Sequence, residues 1–181
     1  MYFLSLSVAE AEEAWSRLQS HFQDFVGFQV QFEQEVLPSE ENGMRGIFAE
    51  LPPKPRGQIR FRRDPKLSLV WQYEFPEERK WSFDGKDWWV IDSERHDRVP
   101  QGDFLSLDES FSFLWGGEHP ELRLEAIDED RFRLLPLNPQ RAGFKQIEVR
   151  LEAALVAEAV LYDHLEGRTR YEFKNWKIER P

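Results

Sequence analysis

Leu69-Val70-Trp71-Gln72-Tyr73-Glu74-Phe75, followed by Trp81-Ser82-Phe83-Asp84-Gly85-Lys86-Asp87-Trp88-Trp89-Val90-Ile91, sets the architecture of this chain. Large apolar residues at 69, 71, 73 and 75 alternate with smaller or polar ones, a period of two that belongs to a strand with one buried face. Asp84-Gly85 then supplies the turn chemistry of a hairpin between two aromatic strands. The same period recurs in Phe28, Val30 and Phe32, in Ile147, Val149 and Leu151, and in Thr169, Tyr171 and Phe173. The alternation predicts about ten or eleven short strands joined mostly by turn-sized connections, hence an antiparallel sheet with one solvated face.

Two segments depart from that period. Val8, Ala11, Trp15, Leu18, Phe22 and Phe25 step by three and four, which predicts an amphipathic helix, opened by a Ser7-Val8-Ala9-Glu10 capping box and closed at Gly27. Phe104, Leu107, Phe111 and Leu114 return to helical spacing before Gly116-Gly117, predicting a short helical insert. The expected fold class is α+β: a single large curved antiparallel sheet, an incomplete barrel, with helix and insert over its concave face. Residues 1–181 read as one domain, because no linker, repeat or low-complexity tract divides them.

Composition narrows the chemistry. Net charge is −10 over 181 residues, which argues against a nucleic acid partner, since phosphate binding needs clustered Lys and Arg. No cysteine is present, so disulfides, thiolate nucleophiles, Cys-ligated zinc and iron–sulfur clusters are excluded. No window approaches the ~18 apolar residues of a membrane span. His21, His96, His119 and His164 share no metal-binding spacing, and no phosphate loop, dinucleotide fingerprint or nucleophile elbow occurs. No cofactor, metal or catalytic residue is implied, and the expectation is a binder, not an enzyme.

Aromatic residues make up 14% of the chain, and Trp71, Tyr73, Phe75, Trp81, Phe83, Trp88 and Trp89 concentrate them. Two helices can cover only part of such a face. Rigid rings resist the collapse that aliphatics undergo, so the face is either a core or an apolar pocket. Acyl chains suit that pocket, each buried CH₂ contributing about 0.8 kcal/mol. Exposed tryptophan platforms for carbohydrate are the alternative, motivated by Trp88 and Trp89.

The order of pieces resembles a known family. After the helix come Gly27-Phe28-Gln29-Val30-Gln31-Phe32-Glu33-Gln34, Gly57-Gln58-Ile59-Arg60-Phe61-Arg62-Arg63-Asp64-Pro65, Trp71 and Asp84-Gly85-Lys86-Asp87-Trp88-Trp89, with Thr169 to Asn175 near the end. This is similar to the outer-membrane lipoprotein carrier family LolA. The resemblance implies a non-enzymatic chaperone, acting as a monomer. It would take acylated lipoproteins from an inner-membrane ABC release complex, shield their acyl chains and pass them to an outer-membrane receptor. The implied cavity lining is Leu18, Phe61, Leu69, Trp71, Tyr73, Trp81, Phe83, Trp89, Phe111, Phe113 and Leu114. Arg63 matches the family's lid latch, with Arg62 as its competitor because Asp64 precedes Pro65.

A periplasmic location also follows from the resemblance, since Met1 to Leu6 lacks the form of a signal peptide. The lack of cysteine favours the soluble carrier over the related anchored receptor, LolB. An envelope-stress sensor or accessory lipid-binding protein on the same half-barrel is a further alternative.

Overall fold

A computed structural model describes residues 4–37, 53–63, 66–94, 96–99, 112–115, 121–140 and 142–181. One helix, α1 (Leu4–His21), precedes β1 (Gly27–Leu37), β2 (Arg56–Arg62), β3 (Ser68–Phe75), β4 (Arg79–Phe83), β5 (Trp88–Asp92) and β6 (His96–Val99). A 3₁₀ turn at Ser112–Trp115 separates these from β7 (Leu122–Ala126), β8 (Arg131–Pro136), β9 (Gln146–Glu152), β10 (Leu155–Tyr162) and β11 (Arg168–Glu179). All eleven strands join one antiparallel sheet in the order β6-β5-β4-β3-β2-β1-β11-β10-β9-β8-β7. The sheet is open. It consists of two meanders, β1–β6 and β7–β11, joined along a seam where Gly27 faces Glu179 and Leu37 faces Arg168.

The expected class holds, with corrections at the helices. The helix starts at Leu4, a turn before the expected cap, so Ser7 lies inside it; Leu-Ser-Leu contains no glycine or proline to hold the start back. It also stops at His21, where Phe22 N–H turns back to the Gln19 carbonyl at 3.1 Å in a tightened last turn. Phe22 and Phe25 still reach the core, both buried. Of the expected insert, Ser112–Trp115 is a 3₁₀ turn with Phe113 and Leu114 buried, whereas Phe104, Leu107 and Phe111 lie outside the described residues.

Cross-strand register sorts the side chains onto two faces, since directly opposed residues share a face. One inner row runs Ile178, Phe28, Phe61, Leu69, Phe83, Trp88. The next runs Val30, Ile59, Trp71, Trp81, Val90. Helix α1 packs on β7, β8 and β10 of the same face, with Trp15 edge-on to Phe132 at 5.4 Å.

Three bulges break the period. β3 carries an extra residue, Glu74, so Tyr73 faces Gly57 and Phe75 faces Arg56. β10 carries Ala157 between Val156 and Glu158. β11 has an extra residue opposite Val30, with Asn175 at φ 58°, a conformation that asparagine tolerates better than most side chains. Because of that bulge, Trp176 turns inward and donates its indole N–H to the Val156 carbonyl at 3.0 Å.

Candidate functional site: the aromatic inner face

The inner face has a closed end and an open end. At the helix exit, Phe28 packs against Phe22, Phe25, Phe61 and Trp176, with centroids 5.3 to 6.1 Å away. All but Trp176 are buried. Packing of this kind leaves a solid plug, not a cavity.

Away from the helix exit the face opens. Phe32 meets Trp71 at 5.0 Å and Tyr73 at 5.1 Å; Gly57 lies between Phe32 and Tyr73 in the register, where the β3 backbone comes too close for a Cβ. Tyr73 meets Trp81 at 5.8 Å, and Trp71 meets Tyr171 at 6.0 Å. Trp71 and Leu69 are buried, whereas Tyr73, Trp81, Phe83 and Val90 are half-buried. Arg79 lies 5.7 Å over the Trp81 ring and puts a cation at the rim. At the end of β1, Val36 is 69% exposed. The half-buried rings are the surface that an apolar ligand can still gain by covering.

The expected lining residues separate into groups. Phe61, Leu69, Trp71, Tyr73, Trp81 and Phe83 share the inner face, and Leu18, Phe113 and Leu114 are buried in the same core. Trp89 stands on the other face, opposite Ser82 and Arg98 and edge-on to His96 at 5.5 Å. The inner position belongs to Trp88, which meets Phe83 at 5.2 Å. Adjacent tryptophans must point oppositely, and only register says which goes in. Phe75 also leaves the inner face, turned by the Glu74 bulge to lie beneath Arg56 at 5.3 Å. Phe111 lies outside the described residues. Among the described side chains Trp89 is the one tryptophan on the outer face, so a row of tryptophan platforms for carbohydrate is not built there.

Arg62 and Arg63 diverge. Arg62 points to the outer face and pairs with Glu179 at 3.3 Å. The Arg63 guanidinium sits 4.1 Å over the Phe25 ring, and its backbone N–H donates to the Val26 carbonyl at 2.8 Å. Burial lowers its pKa from the ordinary arginine value. Arg63 therefore ties the end of β2 to the segment leaving α1.

Sequence reasoning missed two features. A mostly polar groove of about 360 Å³ opens between the β3 and β11 bulges, lined by Gln31, Phe32, Glu33, Arg56, Gly57, Glu74, Glu172, Lys174 and Asn175. Gly57 and Asn175 were its available signals, as residues that favour bulges or positive φ. The second is polar and lies inside: the Tyr73 hydroxyl donates to Gln34 Oε1 at 2.8 Å. Burial pushes the phenol pKa of Tyr73 up, and that of nearby Tyr171 far up.

No family model and no curated protein matches the chain. Among solved structures it is similar to a LolA superfamily protein of Nitrosomonas europaea, with 10% identity, 94% of each chain covered and a TM-score of 0.47. It is also similar to LprF of Mycobacterium bovis, with 13% identity, 96% of each chain covered and a TM-score of 0.42. A third likeness is to the Pseudomonas aeruginosa MucA/MucB complex, with 12% identity and a TM-score of 0.45, covering 96% of this chain and 58% of that one.

Proposed function

We propose that the inner aromatic face holds the acyl chains of a lipidated ligand, and that the protein is a non-enzymatic carrier of acylated lipoproteins. The observation that carries this reading is the half-buried stretch of Tyr73, Trp81, Phe83 and Val90 beside the exposed Val36, all on the helix-bearing side of an open sheet. Such a surface gains free energy when hydrocarbon covers it, at about 25 cal/mol per Å². In its full form the proposal places the carrier in the periplasm, loaded by an inner-membrane ABC release complex and unloaded at an outer-membrane receptor. It requires no cofactor.

Titrating the protein with a tripalmitoylated lipopeptide while following tryptophan fluorescence tests it. Saturable binding is expected, with none for the same peptide without acyl chains. Trp81→Ala, which removes ring area at the open end, should weaken binding about tenfold, the equivalent of ~1.4 kcal/mol. If the acylated and bare peptides behave alike, the inner face is ordinary core and the reading fails.

Arg63 supplies a second test. An exposed cation–π contact contributes about 0.5–1 kcal/mol, so Arg63→Leu should loosen the tie between β2 and the helix exit without unfolding the sheet. As a latch that favours the empty form, its loss should slow lipopeptide release in stopped-flow exchange. Unchanged release would leave Arg63 as a packing residue on Phe25.

A further inference from the structure

One polar group interrupts the inner face at its open end. Gln34 lies two residues beyond Phe32 on β1 and directly opposite Tyr171 of β11. The Tyr73 hydroxyl donates to Gln34 Oε1 at 2.8 Å. Burial holds the Tyr73 phenol in the protonated form, so it has one proton to donate. Its acceptor is the Gln34 carbonyl oxygen, which fixes the amide orientation and turns the NH₂ away from Tyr73. Gln34 is half-buried, and the next residue on its face, Val36, is 69% exposed. The Gln34 NH₂ has no hydrogen-bond acceptor among the described residues. Two N–H donors thus stand at the edge of an aromatic surface, and leaving such donors unpaired on burial costs free energy that a ligand oxygen removes.

We propose that the Gln34 NH₂ seats the carbonyl oxygen of an acyl ester or acyl amide whose hydrocarbon tail lies along Tyr73, Trp81 and Trp71. This rests on the reading of the inner face as an acyl site, and it adds the head end and orientation of the ligand. An ester lipid and an acylated protein N-terminus share that carbonyl.

The test compares monopalmitoylglycerol with 1-O-hexadecylglycerol, which has the same tail length and glycerol head but an ether in place of the ester carbonyl. A net hydrogen bond predicts that the ester binds about three- to tenfold tighter. Gln34→Met should abolish the difference and leave ether affinity unchanged, and Tyr73→Phe, which frees the amide to rotate, should reduce it. On the unaltered protein, the Gln34 side-chain amide resonances should shift with the ester and not with the ether, a readout that survives if a variant fails to fold. Equal affinities, or a preference that persists in Gln34→Met, overturns the carbonyl contact and leaves the acyl site standing. Binding of neither compound removes both. In a third arm, tripalmitoylated lipopeptide binding tighter than monopalmitoylglycerol assigns the site to acylated protein, and the reverse order assigns it to ester lipid.

Discussion

Phe28→Ala is expected to destabilise the protein by about 3–5 kcal/mol, the range for removing a fully buried phenylalanine. Phe28 is 2% exposed and packs among aromatic rings. It stacks on Phe61 at 18° and meets Trp176, Phe22 and Phe25. These neighbours come from the segment after α1, β2 and β11, so no single segment can move to refill the space. Part of the cost is lost transfer free energy and part is the cavity left in a surround that cannot collapse. Urea denaturation followed by far-UV circular dichroism measures it. Val36→Ala, on the same strand and face but exposed, should cost less than about 0.5 kcal/mol. A cost below about 1 kcal/mol at Phe28 would mean that the plug is loosely packed and that the closed end is open to ligand as well.

Gly57→Ala is the second large effect, and its cause is backbone. A Cβ at Gly57 would stand 1.9 Å from the Gln72 carbonyl oxygen and 2.9 Å from the Tyr73 Cα. These are ladder atoms of the neighbouring strand, so relief requires β2 and β3 to separate where the Glu74 bulge joins them. Forcing atoms into well-packed sites typically costs about 1–3 kcal/mol and sometimes more; here about 3 kcal/mol or more is expected, since no side chain can yield. The same change would push Phe32 and Tyr73 apart, so lipopeptide affinity should fall along with thermal stability. Gly167→Ala offers a contrast: the added methyl meets the Asp163 carboxylate at 2.3 Å, a side chain that can yield by giving up its bonds to the Leu165 and Gly167 amides, and ligand binding should be unaffected. Equal losses at both glycines would show that the strand approach at Gly57 is not special.

Much of this fold was legible because the apolar period matches the faces. Phe28, Val30 and Phe32, or Ile147, Val149 and Leu151, point inward as their alternation requires. Asp84-Gly85 turns the hairpin between β4 and β5, with Asp84 Oδ1 accepting from the Lys86 and Asp87 amides at 3.0 Å each and Gly85 at φ 88°. Errors arose wherever a strand gained a residue or two large residues were adjacent. Phe75 carries the same period as Trp71 and Tyr73, yet one extra residue reverses its side. Trp88 and Trp89 are chemically identical, and only pairing with Phe83 on β4 selects the first. Of the candidate site, the aromatic floor was readable from composition and spacing. The Gln34–Tyr73 hydrogen bond was not, because it joins β1 to β3 through a register that no local pattern contains.

The seam between the two meanders bears on how the sheet assembles. Within each meander every pairing joins strands consecutive in the chain, so the loops to be closed are short beside the seam and their entropic cost is lower. Joining β1 to β11 is different, since Gly27 must find Glu179 across nearly the whole chain. Chains dominated by such distant pairings fold slowly, because closure entropy is lost before the contacts reward it. The two longest strands, of 11 and 12 residues, meet there, and until they do each leaves its ladder of amides and carbonyls open to pairing with another molecule. The join that brings Gln34 beside Tyr171 is thus also the slow step of folding and the interval of greatest aggregation risk.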